Sequence, residues 1–419
     1  MERYMTDIIT APRASAPRLS TRARSARPSP TIAMNARAAA LKVEGKTSIP
    51  LSLGEPDFHT PDNVKAAGIK AIEDNFTKYT PSDGHKPLKA AIVQKLKDYN
   101  GLTFDADQIV VSGGCKSALL AAFLSIVDPG EEVIIPTPYW VSYPDLVELA
   151  GGKPVFVPCD DTVEFKLTPE LLEAAITPKT RAVVFNSPNN PSGAVYSPED
   201  IERLAEVLLR HPEIWVVTDE MYEWIVYETP RAVSFAEIVA KAAPEVLDRV
   251  ITINGFSKGY VMTGWRLAYC AGSKAVIKSM ADFLSQMNGA PSSISQAAAI
   301  EALQGDQSFI TRNQNIFRER RDLVVDRIAG IPGLSTIRPP GSFFIYIHCG
   351  GWLGRTSPGG IELKTDMDVV EALLVEEAVA TVPGEVFGLS PYFRISYALD
   401  LTLINEAMDR IESFAKALR

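Results

Sequence analysis

The sequence predicts an α/β fold, with a mostly parallel central sheet flanked by helices in a large domain and a smaller α+β domain beside it. Three observations predict this. Short apolar strands alternate with amphipathic helices between Ile109 and Ile253, the spacing of parallel strands joined by helical crossovers. Several of those strands, Ile109-Val110-Val111 among them, are unbroken β-branched runs, as expected where helices cover both faces. Beyond Arg266 the alternation stops, and 419 residues exceed the size at which one core keeps growing.

Each element has a local reason. Residues Thr10 to Lys42 carry arginines and serines but no acidic residue, the composition of an organellar transit peptide or of an extended arm. Ile49–Leu53 is a short apolar run that ends in Gly54-Glu55-Pro56-Asp57, where Gly54 makes a turn or brings a bare N–H to a ligand. Thr60 is the expected N-cap of a helix with Pro61 in its first turn and apolar positions at Val64, Ala67, Ala71 and Ile72. The turn-rich loop Lys78–Gly84 displays Tyr79, and a second amphipathic helix runs through Leu88, Ile92, Leu96 and Tyr99.

Strand Ile109–Ser112, the turn Gly113-Gly114 and helix Lys116–Val127 form an arrangement that points free N–H groups at a phosphate or, more commonly, packs a helix tightly on a strand. Strands follow at Glu132–Ile135, Pro154–Val157, Ala182–Phe185, Ile214–Val217 and Val250–Ile253. Helices are expected at Tyr143–Ala150, Pro169–Ile176 and Glu199–Leu209. After Arg266 come helices at Ala275–Gln286, Ser293–Leu303 and Arg312–Ile328. Strands are expected at Ser335–Ile337, Phe343–Ile347, Val379–Val382 and Phe393–Tyr397, with helices at Met367–Glu377 and Ile404–Ala417. Gly350–Gly360 is expected to be an exposed glycine-rich loop. The domain boundary is expected inside the long helix that includes Arg312.

Composition excludes several functions. A net charge of −9 argues against nucleic acid as a partner. The four cysteines contain no C-x-x-C pair, which suits a reducing, cytoplasmic setting, and the four histidines have no metal spacing, so no metal is expected. The apolar run Ala118–Val127, broken by Ser125, falls far short of the ~20 residues needed to cross a bilayer, so no membrane is expected either.

In α/β sheets ligands collect at the carboxyl ends of strands. Gly113-Gly114, Tyr139-Trp140, Asn186–Gly193, Asp219–Tyr222 and Ser257-Lys258 all fall there. In Asn254–Arg266 an amine (Lys258), a hydroxyl (Ser257) and a guanidinium (Arg266) share a loop with Gly255, Gly259 and Gly264. That set suits a cofactor with an aldehyde and a phosphate, pyridoxal phosphate, although a lone lysine is more often a surface charge. Asp219 could pair with a protonated pyridine nitrogen, while Tyr222 and Asn190 could contact the ring's phenolic oxygen; each alone also reads as a turn or cap residue. Arg394, inside an apolar strand, needs a partner, either an α-carboxylate or an internal acid.

Together with these, Gly54-Glu55-Pro56-Asp57-Phe58, Lys78-Tyr79-Thr80-Pro81, Pro138-Tyr139-Trp140-Val141-Ser142-Tyr143-Pro144, Asn186-Ser187-Pro188-Asn189-Asn190-Pro191-Ser192-Gly193, Asp219-Glu220-Met221-Tyr222, Ser257-Lys258 with Arg266, and Phe393-Arg394-Ile395-Ser396-Tyr397 occur in one order. In this the chain resembles class I aminotransferases of the fold type I pyridoxal-phosphate superfamily, closest to bacterial-type aspartate/aromatic enzymes. The likeness covers residues 19–419, including Ser29-Pro30-Thr31-Ile32 and Asn35-Ala36-Arg37. It favours the arm reading and leaves 1–18 as an extension, 61–310 as the large domain, and 19–60 with 311–419 as the small one.

The resemblance implies a homodimeric transaminase that shuttles an amino group between amino acids and 2-oxo acids by ping-pong kinetics. Lys258 would condense with pyridoxal 5'-phosphate and move protons, Asp219 would hold the ring nitrogen's proton, and Trp140 would stack on the ring. Ser257, Arg266 and the backbone around Gly114, Cys115 and Lys116 would grip the phosphate, with Tyr79 reaching in from the neighbouring subunit. Arg394, Asn190 and Gly54 would hold the substrate α-carboxylate. Ser285–Ser292 has no arginine for a side-chain carboxylate, so Lys116 is expected to serve instead. Cys115, standing where the family has glycine, is expected to be unreactive. Phe58, Tyr143, Trp265 and Phe344 are candidates for a pocket that also admits aromatic side chains. Rival readings are a lyase or synthase of the same fold and a non-enzymatic effector-sensing domain.

Overall fold

A computed structural model of the chain describes residues 18–20, 23 and 48–419. Residues 1–17 of the expected extension and the arm motifs at Ser29 and Asn35 lie outside the described residues. Among the described residues, thirteen strands form three sheets. In chain order they are β1 (Ile49–Pro50), β2 (Ile109–Ser112), β3 (Glu132–Thr137), β4 (Lys153–Pro158), β5 (Thr180–Asn186), β6 (Trp215–Asp219), β7 (Val250–Gly255), β8 (Ala268–Ala271), β9 (Ser335–Thr336), β10 (Phe344–His348), β11 (Val379–Ala380), β12 (Val382–Pro383) and β13 (Tyr392–Ser396).

The central sheet has the order β2-β8-β7-β6-β5-β3-β4. Pairs β7-β6, β6-β5, β5-β3 and β3-β4 are parallel, and β8 runs antiparallel to both its neighbours. Strands β2, β6 and β7 consist almost wholly of buried side chains, which is why they read as continuous apolar runs rather than alternating ones. Two buried clusters line the sheet's faces, one containing Val111, Val183, Val216 and Val250, the other Val110, Val184, Val217 and Ile251. Adjacent residues of each strand thus enter opposite layers.

A second sheet, β12-β13-β10-β9, is antiparallel throughout. It packs with helices Ser308–Ala329, Asp366–Glu377 and Leu401–Ala417 in a separate apolar cluster. The expected single strand Val379–Val382 is two strands in two sheets: β11 pairs with β1 and β12 with β13. Thr381, fully buried, is the joint between them. Gly350–Gly360 is not simply exposed, because Trp352 within it is fully buried with its indole N–H donating to Pro332 O at 2.8 Å.

Two helices escaped the sequence reading, Phe235–Ala242 and Pro244–Leu247, between β6 and β7. Both are short, so their periodic signal is weak. The helix after Thr60 spans Asp62–Glu73 with Pro61 at its cap position and no side-chain cap. Thr60 bonds elsewhere, its hydroxyl donating to Val261 O at 2.6 Å and accepting from Trp265 Nε1 at 3.1 Å. Those bonds pin the segment from β1 to Pro61 across the lysine loop. The paired bonds from Arg320 to Asp57, each 2.8 Å, pin it to helix Ser308–Ala329.

Candidate active site

The parallel strands deliver their carboxyl ends to one rim. Asn186 ends β5 opposite Asp219, which ends β6 opposite Ile253 of β7. Strand β8 runs the other way, so its first residue, Ala268, faces both Gly255 at the end of β7 and Ser112 at the end of β2. Arg266, just before β8, therefore reaches the same rim.

A cavity of about 300 Å³ opens there. It is lined by Gly54, Cys115, Lys116, Trp140, Asn190, Asp219, Tyr222, Ser257, Lys258, Arg266 and Arg394, all named from the sequence. Gly114 and Tyr79, named for cofactor contacts, do not line it. Gly114 instead makes room for Arg266: its φ is 115°, and a Cβ there would lie 2.6 Å from the guanidinium Nη2. Tyr79 is 99% exposed and does not line the cavity of its own chain.

Helix Cys115–Ile126 begins at this cavity with no side chain capping it, so its first N–H groups and positive dipole end are available to an anion. Arg266 adds a full charge beside them. It sits in the left-handed region with φ 54°, as does Val261 with φ 53°. Such conformations are costly for side chains bearing Cβ, and they concentrate at functional loops.

The amine of Lys258 donates to the carbonyl of Gly54, so Gly54 presents its oxygen, rather than its N–H, to the lysine. Burial lowers the Lys258 pKa to about 8, with Arg394 and Arg266 adding repulsion and Glu55 opposing it. A neutral amine, the form that attacks a carbonyl, is therefore accessible near neutral pH. Tyr222 and Phe343 bring their rings to 6.0 and 5.9 Å from Nζ.

Arg394 is 2% exposed. Its Nη1 donates to Asn190 Oδ1 and its Nη2 to Ser52 O, each at 2.9 Å, while Nε has no partner among the described residues. No carboxylate pairs with it among the described residues either, which removes the internal salt bridge as an explanation. The guanidinium lies 4.2 Å from the Phe344 ring centroid and 5.0 Å from that of Phe387. Burial lowers its pKa to about 10, so it remains charged at neutral pH. A buried fork with an open N–H is a receptor for an anionic, planar group.

A hydrogen-bonded chain joins this receptor to the sheet. Asn186 Nδ2 donates to Asp219 O at 2.9 Å, the Asn190 N–H donates to Asn186 Oδ1 at 2.9 Å, and Asn190 accepts from Arg394. Deeper in, Glu223 accepts from Lys95, Asn100 and Asn254. Burial pushes that carboxyl up, but Lys95 and the two amides outweigh it and keep it low. This network ties the β6 loop to β7 four residues before Lys258. Sequence reasoning missed it, although a lysine on the buried face of an amphipathic helix was a usable signal.

Some expectations need correcting. Phe58, Trp265 and Phe344 do not line the cavity: Phe58 packs on Phe317 at 5.0 Å, Trp265 bonds Thr60, and Phe344 lies under Arg394. Tyr143 does line it. Gly259 serves packing as well as the turn closed by Val261 N–H donating to Lys258 O, since a Cβ there would lie 2.7 Å from Trp224. The expectation for Cys115 fits: its thiol is pushed well up, chiefly by burial and then by Asp219, which suppresses thiolate chemistry.

The aminotransferase class I and II family profile matches residues 46–411. The aspartate aminotransferase of Rhizobium meliloti (strain 1021) is 50% identical over 378 residues, 90% of this chain and 91% of that protein. The aspartate/prephenate aminotransferase of Cereibacter sphaeroides is 47% identical, covering 94% of this chain and 97% of its own. Among solved structures, the aspartate aminotransferase from Rhizobium meliloti matches with a TM-score of 0.92 at 48% identity, over 96% of this chain and all of that one. The Thermus thermophilus aspartate aminotransferase with maleate matches with a TM-score of 0.88 at 37% identity, over 95% of this chain and all of its own. The chain thus belongs to the class I and II aminotransferases and is a transaminase.

Proposed function

We propose that this transaminase uses pyridoxal 5'-phosphate to move the amino group of L-aspartate to 2-oxoglutarate. Family membership implies the cofactor, and the cavity fits it: Gly114 leaves the hollow in which Arg266 lies, and helix Cys115–Ile126 starts uncapped beside it. When bound, the cofactor supplies an aldehyde for the amino group and a ring that takes up the electron pair left at Cα. Ser257, Arg266 and the backbone around Gly114–Lys116 would hold the phosphate, and Trp140 would cover the ring face. Asp219 would keep a proton on the ring nitrogen, while Tyr222 and Asn190 would face the phenolic oxygen. Lys258 would move the proton between Cα and C4′. Donor product leaves before acceptor binds, so kinetics are ping-pong.

The buried Arg394, with its Nε open and no acid partner among the described residues, carries the reading, because its charge is met once a substrate α-carboxylate arrives, with Asn190 and Gly54 in the same cavity wall. Lys116 supports the preference for dicarboxylates. Its ammonium stands 5.4 Å over the Trp140 ring at the cavity wall, and among the described residues no acid pairs with it. The maleate-bound Thermus relative is consistent with a dicarboxylate site. Prephenate, which also carries two carboxylates, is a second reading favoured by the Cereibacter relative. Assayed with aspartate, glutamate, phenylalanine and alanine as donors, and 2-oxoglutarate and prephenate as acceptors, the enzyme is expected to favour aspartate. Lys116→Ala should raise KM for aspartate and 2-oxoglutarate roughly tenfold and leave that for alanine unchanged. Unaltered dicarboxylate KM values would rule out this role for Lys116.

A cytoplasmic homodimer with shared sites completes the reading, divided into residues 61–310 and 19–60 with 311–419. Tyr79, fully exposed and next to a helix with Ile69 and Ile72 exposed, supports a site completed from a neighbour. Mixed dimers of Tyr79→Ala and Lys258→Ala chains contain one intact site each and should recover activity that neither parent has. No recovery on mixing would refute sharing.

A further inference from the structure

Three protein donors converge on the Asp219 carboxylate. Tyr143 Oη donates to Oδ2 at 2.8 Å, Cys115 Sγ donates to the same oxygen at 3.5 Å, and the Met221 N–H donates to Oδ1 at 3.2 Å. A carboxylate offers about four acceptor directions, so one remains for a donor arriving from the cavity. Tyr143 and Cys115 are the first residues of two helices that pack on each other. The Tyr143 ring also stands edge-on to Trp140 with centroids 5.5 Å apart, which fixes where its hydroxyl points.

We propose that Tyr143 and Cys115 are positioning residues for Asp219: they keep its buried carboxylate ionised and oriented, so that it can hold a proton on the cofactor's ring nitrogen. The inference rests on the pyridoxal phosphate reading above. An acid buried here without donors would take up the proton itself and cease to be a counter-charge. Burial pushes the Asp219 carboxyl up, and Tyr143, Met221, Cys115 and Lys258 offset part of that rise. The other groups facing it are Tyr222 from its own loop and Cys270 from β8. Burial pushes those two, Tyr143 and Cys115 all upward, so they remain neutral and Lys258 supplies the facing cation. A thiol in place of glycine at position 115 thus adds a donor that glycine lacks.

The test uses holoenzyme reconstituted with pyridoxal phosphate labelled with ¹⁵N in the ring. In wild type the nitrogen's chemical shift should read protonated at neutral pH. Tyr143→Phe keeps the ring packing and removes the donor. It should move that shift toward the unprotonated value and lower kcat roughly tenfold or more, with KM little changed. Cys115→Ala should act in the same direction but more weakly, because a thiol is a weak donor, and Cys115→Ser should restore wild-type behaviour. If Tyr143→Phe and the Tyr143→Phe/Cys115→Ala double variant both keep the wild-type shift and kcat, the inference is overturned while the cofactor reading stands. If wild type takes up no labelled cofactor, the cofactor reading itself fails and the inference goes with it.

Discussion

Lys258→Ala is expected to lower kcat for transamination by roughly ten-thousand-fold or more, the upper range for loss of a general base that is also a nucleophile. The residue lies in the cavity wall with its pKa lowered to about 8, and among the described residues no other lysine combines that environment with access to the Asp219 side of the cavity. Lys116, the cavity's other amine, lies over Trp140. The sign of the pH effect follows from the shift. Below about pH 8 the amine is protonated and cannot attack an aldehyde; above it the neutral form dominates. In wild type stripped of cofactor, the rate of pyridoxal phosphate uptake, followed by its visible absorbance, should therefore rise through about pH 8. A midpoint near the ordinary lysine value of 10.5 would show that burial does not act on the amine. Lys258→Ala should show no such band shift at any pH, and residual activity within tenfold of wild type would remove Lys258 from the chemistry.

Replacing Arg394 by methionine should lower kcat/KM for aspartate and for 2-oxoglutarate by roughly 10² to 10⁴-fold, the usual range for truncating a buried, hydrogen-bonded charge partner. Both half-reactions should suffer, because each substrate brings an α-carboxylate. Arg394→Lys should rescue little, since an ammonium cannot supply the two-point fork that Asn190 and Ser52 orient. Stability should move the other way. Burial depresses the Arg394 pKa to about 10, so at every pH below that value the folded protein holds this charge at a cost. An apolar side chain of similar volume beneath Phe344 and Phe387 removes the cost, and Tm of the substrate-free variant should be equal or higher. A Tm drop of many degrees, with kcat/KM intact, would mean that Arg394 is a structural residue after all.

Much of this site was legible because its parts are short and local. Asp219, Asn190 and Ser257-Lys258 each follow an apolar run that could hardly be anything but a buried strand, so their place at a strand end came with the pattern. Tyr143 was legible as a helix start and as a pocket residue, but not as the partner of Asp219, which is 76 positions away. The Phe58, Trp265 and Phe344 expectations failed for a related reason: an aromatic near a site in sequence can face either side of its element, and packing decides which. Thr60 looked like a cap because residues of its type favour that position. Its hydroxyl went instead to Val261, 201 residues on.

By itself the sequence determined the alternation of strands and helices, the residue types that carry the chemistry and the order in which they occur. These depend on side-chain periodicity and on backbone preferences that reach only a few residues. Tertiary structure alone decided that β8 runs antiparallel and returns Arg266 to the rim, and that Val379–Val382 divides between two sheets at Thr381. It also decided that Arg394 meets Asn190 across 204 positions and that Tyr143 and Cys115 share one oxygen of Asp219. Such pairings arise from strand order and helix packing, where the free energy of burying whole surfaces selects the neighbours, and no local pattern encodes that choice.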